Sequence, residues 1–248
     1  MSTPLDNLPP LSVLMYHQVG HYPRPSAHKA SFCHIRQFRQ QLAYLKWARF
    51  NVISMAEAYQ GLFHGAPLKS RSVVLTFDDG YQDFHDHAWP ALQAYGFPAT
   101  VFLISGLIGQ AARWQTDFAN IAQLMDAPTI RRLQGQGVNF GSHAVNHVRL
   151  PQLSTADVRR EVFDSKATLQ DLLGQDVPDF CYPYGQYDER ARHFVEEAGY
   201  QTGLTCIRGA ANTADNSFEI PRKAISYGDN VLGFAWKLHM KHARKRAS

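Results

Sequence analysis

Cysteine is scarce in this 248-residue chain: three residues, at positions 33, 181 and 206, are too few and too scattered for a disulfide framework or a cysteine zinc site, so reduced thiols are expected. Nothing reaches the eighteen or so consecutive apolar residues that a membrane-spanning helix needs. The opening MSTPLDNLPPLSVLMYHQVG has no basic leading region and only a short apolar run before Tyr16 and His17, which is not the pattern of a secretory signal. As written the chain is expected in the cytoplasm, and in the periplasm or envelope if a leader has been removed. No basic stripe with interleaved aromatics runs through the body, which argues against a nucleic-acid partner. Repeats, linkers and low-complexity segments are also missing, so residues 1–248 read as a single domain.

What is present is a core-sized apolar fraction, 45% of residues, enough for one large α/β domain. The net charge of +4 is concentrated in residues 237–248, a basic C-terminal tail. The tail reads either as a solvated helix end, where cations favour the helix dipole, or as a point of peripheral attraction to anionic lipid or polymer. Short apolar strands alternate with amphipathic helices about seven times. Ile35, Phe38, Leu42 and Leu45, for example, recur at three- and four-residue spacing in a helix over 34–49. This alternation predicts a parallel, barrel-like α/β fold.

The chain is organised around Val73-Val74-Leu75-Thr76-Phe77-Asp78-Asp79-Gly80. A strand buried on both faces is apolar throughout, and in parallel α/β folds the chemistry collects where strands end. Two adjacent carboxylates at such an exit repel unless a cation partners one of them, and a metal is the simplest candidate. A second strand, Val138 to Ser142, leads into His143 and His147. In a helical turn, histidines four apart share a side, so both imidazoles can reach one ion. One Asp with two His is a catalytic ligand count, leaving a position for water. A third exit, Phe180-Cys181-Tyr182-Pro183-Tyr184-Gly185, brings aromatics and a rigid turn to the same rim. His85 and His87, two residues apart, would face different sides of a helix expected over 81–95, and read as surface or capping residues. Trp114, in a looser region over 114–128, is either a core aromatic or a sugar-stacking platform.

The ordered set TFDDG (76–80), GSHAVNH (141–147) and YPYG (182–185) resembles the polysaccharide deacetylase family, also called carbohydrate esterase family four or the NodB-homology domain, in its exopolysaccharide-directed subgroup. The resemblance runs from MYHQV at 15–19 to IPR at 220–222. It implies a distorted (β/α) barrel of seven or eight mainly parallel strands. The implied activity is metal-dependent removal of N-acetyl groups from N-acetylhexosamine units, N-acetylglucosamine above all, of an acetylated glycan. It further implies that Asp79, His143 and His147 are the metal ligands, that Asp78 is the general base, and that a backbone N–H near Tyr184 helps bind the oxyanion.

The ligand types suit Zn2+, and Co2+, Ni2+ or Fe2+ fit Asp-His-His equally well. Three departures from the commoner family pattern follow. Cys181 stands where an arginine usually orients the base, and Arg222 is the replacement candidate. Ala144 stands where a Ser or Thr is common. The usual Leu-x-His segment is not recognisable, since His239 directly follows a leucine in the basic tail, which leaves His17 as the candidate acid or oxyanion partner. Two other functions stay in view: a metal-dependent amidohydrolase of small molecules on the same scaffold, and a catalytically silent carbohydrate-binding protein.

Overall fold

The computed structural model describes residues 5, 8–25, 28–114 and 121–245. Within them the chain opens with strand β1 (Ser12–Tyr16) and the short β2 (Gln18–Gly20) and β3 (Phe32–His34), followed by helix α1 (Ile35–Trp47), β4 (Asn51–Val52) and α2 (Met55–Phe63). The central β5 (Ser72–Phe77) leads through a wide turn at Phe84–Ala88 to α3 (Trp89–Gln93), β6 (Thr100–Leu103), α4 (Ala127–Gly135) and β7 (Asn139–Ser142). The long α5 (Thr155–Leu173), β8 (Asp179–Cys181), α6 (Glu189–Glu197), β9 (Thr202–Arg208), β10 (Ile220–Ala224) and α7 (Val231–Met240) complete it.

The strands form a closed parallel barrel. Among the described residues the order is β1-β10-β9-β8-β7-β6-β5, and β5 returns to β1 in register from Ser12↔Val73 to Tyr16↔Phe77. β4 stands outside this ring, pairing only with the first two residues of β5, while β6 takes the last two. All six residues of β5 are buried, which explains why its sequence does not alternate: one face fills the barrel and the other meets the helices.

Local sequence explains the helices. α1 starts at His34, whose ring nitrogen accepts the Arg36 N–H, and it buries Ile35, Phe38, Leu42 and Leu45. α2 begins with a reciprocal capping box between Ser54 and Glu57. α5 is capped by Ser154 and stopped by Gly174, whose φ of 64° is the left-handed conformation that glycine adopts without penalty. Between barrel and helices, Tyr16 stacks on Phe77 at 5.1 Å, and Tyr16 satisfies its buried hydroxyl on Gln41 at 2.9 Å.

The helix expected over 81–95, interrupted or started by Pro90, is a π-turn over Phe84–Ala88 running into α3, with Pro90 in the first turn of α3, where the N–H that continuous α-geometry would use is missing. The two-stranded sheet of β2 and β3 was not anticipated; its strands have three residues each, too short for a period to register. Residues 115–120 of the looser 114–128 region, and residues 246–248 of the basic tail, lie outside the described residues. Among the described residues no helix is long and apolar enough to cross a membrane.

Candidate active site

β5 delivers Asp78 and Asp79 to the barrel mouth. Asp78 continues the strand ladder, its N–H donating to Tyr16 O at 2.9 Å. Asp79 and Gly80 then both take positive φ, 73° and 74°, and turn the chain sharply. For an aspartate that conformation is strained, and such strain persists only where the surroundings fix it. At Gly80 the positive φ favours glycine, and a Cβ there would press on the Leu103 side chain at 2.7 Å.

β7 delivers the histidines, but not on a helical turn. Ala144 and His147 have φ of 63° and 55°, and the segment between them is an irregular loop. Its shape is imposed from both sides. Ser105 and Gly106 donate their N–H groups to Ala144 O and Val145 O at 3.1 and 2.9 Å. From α5 the buried Glu161 accepts the N–H groups of Val145 and Asn146, both at 2.9 Å, and the Asn146 side-chain amide at 2.6 Å. Tertiary clamps thus achieve the convergence that helical spacing was expected to give.

The outcome is a buried triad. His143 Nε2 and His147 Nε2 lie 3.4 and 3.3 Å from the same oxygen, Oδ1 of Asp79. The Nδ1–H of His143 donates to Cys181 O at 2.6 Å, so in the neutral ring Nε2 presents its lone pair to that carboxylate oxygen. With no ion present, burial is outweighed by the neighbouring Cys181 and Asp79, which raise the pKa of this imidazole; a cation between ring and carboxylate takes the place of that proton. Asp79 Oδ1 is buried with no hydrogen-bond partner, and 3.3–3.4 Å is long for a charge-assisted hydrogen bond. It matches the edge of a tetrahedron built on metal–ligand bonds of about 2.0–2.2 Å, which is roughly 3.3 Å. Burial pushes the His147 imidazole down to about 4, so it is neutral and ligand-competent at neutral pH. Asp79, His143 and His147 therefore fit a divalent cation.

Asp78, His143 and Cys181 also cluster, but they do not form a second metal site. Arg222 from β10 donates from Nη1 to Oδ1 and from Nη2 to Oδ2 of Asp78, both at 2.7 Å, using the two carboxylate oxygens. Burial raises the Cys181 thiol, which keeps its proton. Arg222 is itself locked by Thr205 O at 2.9 Å, Thr76 Oγ1 at 3.1 Å and Cys181 Sγ at 3.0 Å. Burial favours protonation of Asp78, but this guanidinium outweighs it and the carboxyl stays below the usual range.

A cavity of about 240 Å3 opens over these groups. His17, one residue past β1, places Nε2 4.0 Å from Asp78 Oδ2. Tyr184 sits in the 183–185 turn with φ 58°; its ring is 4.5 Å from that of His147 and carries the Arg149 guanidinium at 4.2 Å. The hydrogen bonds of the turn use the N–H groups of Gly185 and Gln186. Trp114 lines the cavity with its ring 4.3 Å from His147. Outside it, His85 bonds Asp86 at 2.7 Å, and His239 bonds Tyr44 at 2.9 Å on α7. All three cysteines are free. Glu161, Thr76 and Arg149 were not found from the sequence: each acts from a different element, and no local spacing marks it.

A parallel barrel with a buried carboxylate–imidazole triad and a second, arginine-held carboxylate at its C-terminal mouth defines a hydrolase of the deacetylase class. The model of the family "Polysaccharide deacetylase" matches residues 65–203, more than half of the chain, and the chain belongs to that family. YxkH of Bacillus subtilis (strain 168), provisionally named a polysaccharide deacetylase, is 28% identical over 90% of this chain and 74% of its own length. The poly-beta-1,6-N-acetyl-D-glucosamine N-deacetylase of Escherichia coli (strain K12) is 26% identical over 81% of this chain, which spans about a third of that relative, 34%. Among solved structures, the Streptococcus pyogenes deacetylase PplD in complex with acetate superposes with a TM-score of 0.80 at 28% identity, covering 93% of this chain and 98% of PplD.

Proposed function

We propose that this polysaccharide deacetylase removes N-acetyl groups from N-acetylhexosamine units, with N-acetylglucosamine foremost, of a bacterial polysaccharide or oligosaccharide, and that it does so with a divalent metal, Zn2+ first among the candidates. The observation that carries the metal-dependent reading is the pair of 3.3–3.4 Å separations from both imidazoles to the partnerless Asp79 Oδ1. A cation held by Asp79, His143 and His147 supplies Lewis acidity and lowers the pKa of water at the site.

The chain's own groups divide the remaining work. Asp78, ionised and fixed in rotation by Arg222, takes the proton of the attacking water as its oxygen adds to the acetamide carbon. A backbone N–H near Tyr184 donates to the developing oxyanion, a role that the rigid Pro183-Tyr184-Gly185 turn supports. His17, beside Asp78, donates a proton to the leaving nitrogen as the C–N bond breaks, releasing acetate and a free amine. The ring of Trp114 and the half-exposed ring of Tyr184 at the mouth suit a stacked sugar and favour a glycan over a small amide. The pairing of a base with a complete ligand set favours catalysis over silent binding.

The test is acetate release from N-acetylglucosamine oligomers, together with elemental analysis. The proposal expects about one equivalent of metal per chain, loss of activity on chelation and recovery on adding Zn2+. Full turnover by a metal-free protein would overturn the metal dependence, and failure on every acetylated amino sugar would overturn the substrate class.

A further inference from the structure

Between β9, β10 and α7 lies a second cavity, of about 190 Å3, lined by Cys206, Ala224 and five cationic residues, Arg208, Arg222, Lys223, Lys237 and Lys241, with the guanidinium of Arg222 turned away into the barrel. Among the described residues no carboxylate lines it. Two of the cations are neutralised from behind: Arg222 by Asp78, and Lys237 by Asp229. Among the described residues the partners of the buried Lys223 are neutral, Ser12 Oγ at 2.9 Å, Leu238 O at 3.4 Å and His242 Nδ1 at 3.3 Å. Burial alone pushes its ammonium down to about 8. Arg208, on the rim, has no carboxylate within salt-bridge distance among the described residues. Lys241 lies over the Trp236 ring at 4.4 Å, and burial and the charges of Lys237 and Arg208 hold its ammonium below the ordinary value. Cations that raise one another's energy in a recess stay there most readily when an anion joins them.

We propose that this cavity binds an oxyanion, a carboxylate or phosphoryl group, through Arg208 and Lys241 with Lys223 and Lys237 behind them. Planar guanidinium and mobile ammonium donors match such a group. Cys206 belongs to the wall of this cavity and to that of the catalytic cavity, so the two sites adjoin. The anion has two sources: a charged substituent on the glycan that occupies the catalytic cavity, which rests on the function proposed above, or a free anion from solution, which does not.

The experiment pairs the full-length wild type with an Arg208→Gln/Lys241→Gln variant, which keeps side-chain bulk and leaves every proposed catalytic group in place. Calorimetric titration with inorganic phosphate and with acetate reads the site without reference to turnover. Binding to the wild type at low salt is expected, weakened at least about tenfold in the variant and again by raised ionic strength. Turnover is then compared on a neutral N-acetylglucosamine oligomer and on one bearing a carboxylate or phosphate. A glycan-borne anion predicts a loss of about tenfold or more in kcat/KM for the charged oligomer alone; a free anion predicts equal turnover of both by wild type and variant, with the calorimetric difference retained. Identical behaviour of wild type and variant in titration and on both oligomers overturns the site. A protein inactive on every oligomer whose phosphate binding is lost in the variant retains the site and removes the function.

Discussion

Arg222 and Asp78, 144 residues apart in sequence, meet inside the barrel in a two-pronged ion pair with both hydrogen bonds at 2.7 Å and almost no exposure of either side chain. The pair does electrostatic and geometric work at once, keeping Asp78 ionised despite its burial and fixing the plane of its carboxylate beside the triad.

Arg222→Met therefore leaves a buried carboxylate without its counter-ion. We expect kcat to fall on the order of a hundredfold or more through misplacement of the base, and stability to drop by about 3–5 kcal/mol. Without the guanidinium the Asp78 pKa rises, so the acid limb of the kcat/KM profile moves to higher pH. Arg222→Lys restores charge but not the fork, and recovers only part of kcat. Steady-state kinetics across pH and denaturant unfolding check each point.

Removing either histidine should uncouple the protein from metal. In the wild type, added Zn2+ should raise Tm, because ligand binding to the native state adds stability. In His143→Ala or His147→Ala this rise should shrink or vanish, read by calorimetry with and without a chelator. An undiminished rise in both variants would remove these residues from the ligand set.

Glu161 is not one of the triad, yet it holds the loop between the two histidines by three hydrogen bonds. Glu161→Ala should lower metal affinity by roughly 10–100-fold, the range found when groups that orient ligands are lost. Competition with a chromophoric chelator measures this. Asn146→Ala, which removes one of the three bonds, should fall between the wild type and Glu161→Ala.

Asp83 gives a pH prediction away from the triad. It is partly buried, with Oδ2 accepting the Tyr22 hydroxyl, and desolvation pushes its carboxyl up to about 7 from 3.8. The folded state thus holds a proton that the unfolded chain releases near pH 4. The stabilisation is complete below that pH and is lost as pH rises through 7, by up to roughly 4 kcal/mol. Asp83→Asn keeps an acceptor for Tyr22 and carries no charge, so its stability should gain on that of the wild type between pH 5 and pH 8. Parallel curves in urea at the two pH values would contradict this.

Legibility in the sequence follows the range of the interaction. β5 and α1 could be read closely because an unbroken apolar run and a three- and four-residue apolar spacing are local signals. Asp78, Asp79, His143 and His147 were visible as ordered motifs at strand exits, and the resemblance supplied their separate roles. The irregular loop over 143–147 was not legible, since Glu161 and the 105–107 turn impose its shape from elsewhere in the chain. Nor was the cationic recess, because Arg208, Lys223 and Lys241 look like ordinary scattered charges until β9, β10 and α7 bring them together.

Ring closure sets an order on the birth of this enzyme. β1, which precedes the other barrel strands, stays without one of its two lateral partners until β10, residues 220–224, has been synthesised, and β10 also carries Arg222. A nascent chain ending before that strand holds the whole triad in its sequence but has an unsealed barrel and an unpaired acid at its mouth, so its chemistry begins only once β10 has joined β1 and β9.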